Sequence, residues 1–86
     1  MSKYPESHRP LYTIAADIRK NWPKVNYAAE PYLAAMATLG RIEENYYFDT
    51  GDSVVRYFLS NAATWRGEDA KRIKAELKAI VASNNT

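Results

Sequence analysis

The chain has 86 residues, of which 47% are hydrophobic, with a net charge of +2 and no cysteine. This length predicts a single globular domain with a small core, and the lack of cysteine excludes disulfides, thiolate-bound zinc and thiol catalysis. No apolar run approaches the roughly 18 residues that cross a bilayer, and the N-terminus has no apolar signal-peptide core. The sequence therefore predicts a cytoplasmic protein without membrane contacts.

Charges are segregated along the chain. Residues 1–24 carry five positive and two negative groups. Residues 25–52 carry one positive and five negative groups, and residues 53–86 carry six positive and three negative groups. Blocks of opposite sign attract one another, although exposed pairs each contribute less than about 1 kcal/mol. The pattern favours ion pairs between segments within the fold, and the net charge is too small to indicate nucleic-acid binding.

The first helix is predicted after a flexible polar segment formed by residues 1–9. Pro10 suits a first helical turn because its missing N–H has no partner there, and Pro23 ends the helix at about Asn21. The apolar stripe has helical spacing and consists of Leu11, Ile14, Ala15, Ile18 and Trp22.

A second helical period runs from Lys24 to Leu39, with Pro31 in its middle. One interpretation is a helix that begins at about Asn26 and is kinked at Pro31. The alternative is a turn over residues 26–30 with Pro31 at the start of the true helix. The kinked helix is the favoured prediction, and Gly40 suits the position after its end.

Residues 41–51 are ambiguous. Ile42, Tyr46 and Tyr47 would share a helical face, which predicts one or two helical turns. A turn over residues 48–52 follows, and either Thr50 or Asp52 can cap the next helix.

The last two helices have the longest apolar period in the chain. Helix 3 is predicted over about residues 53–63 and helix 4 over residues 68–81, joined by a corner at residues 64–67, with a frayed tail at residues 83–86. Apolar spacing is helical throughout, so no strand is predicted. The predicted fold is an all-α, compact single-domain bundle of four to five short helices.

Asp49-Thr50-Gly51 matches the catalytic triplet of aspartic proteases. That chemistry needs paired aspartates on a β-sheet scaffold, whereas this triplet is flanked by helical patterns. A helix-capping turn is the favoured interpretation.

No other catalytic set is evident. His8 is the only histidine, and no neighbouring group in the sequence would orient it as a base. Glu43, Glu44, Asp49 and Asp52 lack the ligand spacing of a calcium loop, which favours a solvated acidic face. The prediction is a protein that is not an enzyme, with no metal, no cofactor and no small-molecule substrate.

Helix 68–81 carries a basic edge. A helix–corner–helix with a basic second helix resembles DNA-binding helix-turn-helix units, but Glu68 and Asp69 would repel phosphate at the start of the recognition helix. DNA binding is kept as an alternative, and its candidate residues are Arg66, Lys71, Lys74 and Lys78.

Aromatic residues point to protein binding. Seven tyrosines and two tryptophans exceed what so small a core can enclose, and Tyr, Trp and Arg are the residues that anchor protein interfaces. The candidate protein-binding residues are Trp65, Arg66, Tyr46, Tyr47 and Tyr57. Packing of Trp65 in the core, under the corner between helices 3 and 4, is the alternative.

The segments YPESHRPLYTIAADIR and YFLSNAATWRGEDAKRIKAELKAI resemble small open reading frames of actinobacterial phages and prophages. The resemblance implies a viral accessory protein acting in the host cytoplasm, and no functional residue comes with it. The leading hypothesis is a non-enzymatic protein that binds a host or viral protein and inhibits or redirects it. A DNA-binding regulator and a self-associating virion component are the alternatives.

Overall fold

The structure is a computed structural model that describes residues 8–84, so most of the predicted flexible segment and residues 85–86 of the predicted tail lie outside the described residues. The described chain is mostly helical. Its elements are α1 (Leu11–Asn21), α2 (Glu30–Met36), β1 (Asn45–Tyr46), β2 (Asp49–Thr50), α3 (Gly51–Ser60) and α4 (Glu68–Asn84). The predicted compact helical architecture is confirmed. The all-α class is wrong, because β1 and β2 form an antiparallel hairpin.

The first helix is the predicted one, from Leu11 to Asn21. Two of its initial N–H groups, which have no partner within a helix, donate to carbonyls from the end of the next helical region. Leu11 N–H donates to Gly40 O at 2.9 Å, and Tyr12 N–H donates to Leu39 O at 2.8 Å. These bonds dock the end of the α2 segment on the start of α1.

The second helix is shorter than predicted, and the favoured kinked helix from Asn26 to Leu39 is wrong. α2 begins at Glu30 with Pro31 in its first turn, where the missing N–H of proline leaves no bond unmade. Asn26 starts the preceding turn, and its side-chain amide donates to Asn61 O at 3.1 Å. The alternative of a turn followed by a helix is therefore correct.

Residues 45–50 form a hairpin where helical turns were predicted. Asn45 pairs with Thr50 and Tyr46 with Asp49, so Tyr47 and Phe48 make a two-residue loop. The hairpin is held by backbone bonds at its base, because Gly51 N–H donates to Glu44 O at 2.7 Å. This bond joins residues seven positions apart in the chain, and the helical spacing of apolar residues does not indicate it.

The Asp-Thr-Gly triplet is the junction between this hairpin and α3. Thr50 is the N-cap of α3, and its hydroxyl oxygen accepts the Ser53 N–H at 3.1 Å. Gly51 is the first residue of the helix, and its Cα lies against the backbone of Ile42. The triplet has the predicted capping role, and α3 begins two residues earlier than predicted.

The core gathers side chains from every helix and from the corner that joins α3 to α4. Trp22 and Trp65 stack with ring centroids 5.3 Å apart and planes 7° apart, and the Trp22 ring meets Phe58 edge to face. Only 3% of Trp65 is exposed. Its indole N–H donates to Asn21 O at 3.4 Å. Trp65 therefore belongs to the core. Of the two interpretations of the sequence, core packing is correct and an exposed anchor is wrong.

The ion pairs around Arg9 join the first and last charge blocks, which are both net basic, and not blocks of opposite sign. Arg9 donates two hydrogen bonds to the carboxylate of Glu76, at 2.9 and 2.7 Å, and a third to Asp17 at 3.1 Å. The bonds to Glu76 raise the pKa of Arg9 above its ordinary value. Arg72 pairs with Asp69 and Asp17. The network clamps α1 to α4.

Arg9→Ala is expected to lower the free energy of unfolding by about 1 kcal/mol, because a partly exposed network of ion pairs is lost. Urea unfolding monitored by circular dichroism measures the change, and added salt should shrink it. Lys20→Ala is the matched control, since Lys20 is exposed and makes no ion pair with residues 8–84. Equal losses for the two variants would contradict a specific clamp.

Candidate functional site

The structure distributes the predicted protein-binding residues over separate places. Trp65 is buried, whereas its neighbour Arg66 is exposed at the corner after α3. Tyr46 and Tyr47 lie in the hairpin, before the other end of α3. These residues do not form a single surface.

Tyr57 is half exposed on α3. Its ring lies against Tyr32 of α2, with centroids 5.5 Å apart. This pair fits the packing of α2 on α3, so Tyr57 has a structural partner within the fold.

The most exposed aromatic surface is the two-residue loop of the hairpin, Tyr47 and Phe48, here called the hairpin tip. Tyr47 is 82% exposed and Phe48 is fully exposed. Tyr46 is half-buried and packs against the core, and its ring meets that of Tyr47 edge to face at 4.8 Å. The hairpin is thus anchored through Tyr46 and presents two large aromatic rings to solvent.

The backbone of the hairpin tip is strained. Tyr47 has φ of +57°, in the left-handed region that costs a residue other than glycine about 1–2 kcal/mol. Two-residue hairpin loops usually place Gly, Asn or Asp in such positions. A glycine would give the same turn without this cost.

The segment that forms the hairpin, residues 43–50, is acidic in sequence. Residues 43–50 contain Glu43, Glu44 and Asp49 and no cationic side chain. The Glu44 carboxylate accepts the Gly40 N–H at 2.8 Å, which holds this charge near the base of the hairpin. The tip therefore consists of two exposed aromatic rings on a segment of net negative charge.

A second surface lies on the corner and the first half of α4. It is an open cavity of about 520 Å³, here called the basic groove. It is lined by Trp65, Arg66, Gly67, Glu68, Ala70, Lys71, Lys74, Ala75 and Lys78. All four residues predicted for the DNA-binding alternative share this surface.

Lys74 is tied to the wall of the basic groove. Its ammonium donates to Trp65 O at 2.6 Å and lies 5.9 Å from the centroid of the Trp65 ring. Burial lowers the pKa of Lys74, and the charges of Lys78 and Arg66 lower it further. The ammonium groups of the groove therefore repel one another, which favours an anionic occupant.

The acidic residues do not assemble into a cluster suited to a cation. Within residues 8–84, no three carboxylate or imidazole side chains lie together as metal ligands would. In the same range, no helix is long and apolar enough to cross a membrane.

Sequence reasoning did not include Phe48 among the site residues. The sequence predicts a turn at Phe48. Because turns lie on the surface, an aromatic residue in a turn is a sign of exposure. Tyr27 is 92% exposed in the turn before α2, a segment for which the favoured prediction is a helix.

Comparison of the chain with protein-family models, curated proteins and solved structures finds no match.

Proposed function

We propose that this chain is a non-enzymatic accessory protein that binds a protein partner through the hairpin tip. The observation that supports the proposal is the exposure of two adjacent aromatic rings, one of which belongs to a residue with a strained backbone. Aromatic side chains supply much of the binding energy of protein interfaces when they enter a pocket on the partner. The resemblance to phage reading frames adds that the partner is a host or viral protein in the cytoplasm, which binding would inhibit or redirect.

The charge of the hairpin favours a protein partner over an anionic polymer. Glu43, Glu44 and Asp49 repel phosphate groups of nucleic acids and of anionic lipids. A protein pocket with an apolar floor and cationic residues at its rim complements both features of the tip. The expected partner surface is therefore apolar and basic.

A photo-crosslinking residue at position 48 tests this function in extracts of the cells that make the protein. It should give one protein adduct in stoichiometric yield, whereas the same residue at position 27 should not. Phe48→Ser should remove binding and Tyr27→Ser should retain it, although both positions are exposed. Equal binding by the two serine variants, or no adduct at position 48, would contradict the proposal.

Tyr47→Gly is expected to leave the free energy of unfolding unchanged or to raise it by up to about 1 kcal/mol, because glycine adopts positive φ without strain. The greater freedom of glycine in the unfolded chain offsets part of the gain. Tyr46→Gly is the matched control and should be destabilising, because Tyr46 packs on the core. Chemical denaturation checks both, and a clear loss of stability in Tyr47→Gly would show that the exposed ring stabilises the fold.

DNA binding through the basic groove is the second candidate function, because the structure places Arg66 and the three lysines around one cavity. It predicts a gel shift with duplex DNA that weakens steeply as salt rises. Lys71→Ala combined with Lys78→Ala should abolish the shift. A shift insensitive to salt would exclude this mode of binding.

A further inference from the structure

We propose that the hairpin tip of one copy of the chain seats in the basic groove of a second copy, so that the protein associates head to tail with itself. This goes beyond the proposed function, since it assigns an occupant to a groove which that function does not use. The tip is shared, so self-association and binding of a foreign partner would compete.

The two surfaces are complementary in charge. The tip and its flanks, residues 43–50, carry three carboxylates and no cation. The groove is lined by four cationic side chains and by the single carboxylate of Glu68. Opposed surfaces of this kind attract each other and fix the orientation of docking.

The groove also has room for an aromatic ring. The groove has a volume of about 520 Å³, within the range of roughly 300–1,000 Å³ typical of sites that enclose organic groups. Ala70 and Ala75 are small, which leaves room for an inserted ring between the longer side chains. A ring of Phe48 or Tyr47 placed there would meet the lysine ammonium groups, which bind aromatic faces.

Docking would relieve repulsion within the groove. Lys71 and Lys78 are exposed and make no ion pair with any residue from 8 to 84. Lys74 is crowded by the charges of Lys78 and Arg66. The carboxylates at the base of the incoming tip would supply the missing negative charge.

The geometry makes the contact intermolecular. The hairpin precedes the first residue of α3, whereas the corner follows its last turn, and Phe48 is fully exposed, so its ring does not occupy the groove of its own copy. A contact between two different patches produces rings or open chains of subunits. Each contact is small, so we expect association only at micromolar to millimolar concentration.

Sedimentation velocity of the purified full-length chain tests the inference. The weight-average sedimentation coefficient should rise with concentration up to about 1 mM and should fall back towards the monomer value in high salt. A wild-type chain that stays monomeric over this range would overturn the inference.

Two variants that each lack one surface make the test specific. Tyr47→Gly with Phe48→Ser removes both rings of the tip, and Lys71→Glu with Lys78→Glu inverts the charge of the groove; all four positions are exposed, and circular dichroism verifies folding. Each variant alone should remain monomeric, whereas an equimolar mixture should form a one-to-one dimer that grows no further. A mixture that stays monomeric would overturn the head-to-tail arrangement.

A charge exchange checks the pairing by a second route. Glu43→Lys with Asp49→Lys, combined in one chain with the two groove changes, should restore the association that the groove changes remove. Failure to restore it would overturn the charge pairing.

This experiment is separable from that on the proposed function, because it uses the purified chain alone. A monomeric wild type that still gives an adduct from position 48 would leave partner binding standing. A monomeric wild type that binds duplex DNA through Lys71 and Lys78 would assign the groove to nucleic acid and overturn the inference.

Discussion

Replacement of Trp65 by alanine is expected to lower the free energy of unfolding by about 3–5 kcal/mol, the usual loss when a large buried aromatic side chain is removed. Trp65 is almost wholly buried and stacks on Trp22. Its loss leaves a cavity under the corner and frees the neighbouring ring. A domain of this size has a total stability of about 4–13 kcal/mol, so the loss removes a large part of it.

Urea unfolding at 25 °C, followed by far-ultraviolet circular dichroism, measures the effect. Trp65→Phe should recover part of the stability, because an aromatic ring still fills the site. Tyr27→Ala removes an aromatic side chain that is 92% exposed and should change the free energy of unfolding by less than about 0.5 kcal/mol. Full stability in Trp65→Ala would show that the ring does not hold the corner.

Replacement of Gly51 by alanine is expected to destabilise the fold by about 1–3 kcal/mol, the range for overpacked sites. A Cβ at this position would lie 2.6 Å from Ile42 O, which is backbone and cannot rotate away. Alanine favours helices over glycine by about 1 kcal/mol, so helix propensity alone predicts the opposite sign. The clash prevails because it also separates Asp52 N–H from its acceptor, Ile42 O, 3.1 Å away.

Gly40→Ala is the matched control for Gly51→Ala. Its Cβ would approach only the carboxylate end of Glu44, at 3.3 Å, and that end can move. Thermal unfolding of the two variants should show a fall in Tm for Gly51→Ala that is at least twice that for Gly40→Ala. Equal shifts, or a more stable Gly51→Ala, would contradict a structural role for the glycine of the Asp-Thr-Gly triplet.

Amino-acid composition and helical spacing predicted part of the candidate site. Surplus aromatics indicated that some rings must be exposed, and Tyr47 is one of them. The lysines of α4 were placed on one edge by helical spacing, and they do share a groove with Arg66. The sequence leaves open whether Trp65 is buried or exposed, because its partner Trp22 lies 43 residues away and comes into contact only when α1 packs beside the corner.

The sequence by itself determined the elements whose stability is local. The stripe from Leu11 to Trp22 needs only helical spacing and two prolines to define α1, and Thr50 caps α3 through a bond to a residue three positions away. Such interactions span one helical turn, so composition and spacing suffice to predict them.

The tertiary structure alone decided the features that depend on distant partners. Residues 45–50 form a hairpin because Glu44 O and Ile42 O accept backbone N–H groups from the start of α3, which a helix over this segment could not provide. Trp65 is buried because Trp22 covers it, and Phe48 is exposed because the hairpin directs the loop away from the core. These outcomes depend on which surfaces meet when the chain folds, and a one-dimensional pattern of apolar residues does not contain that information.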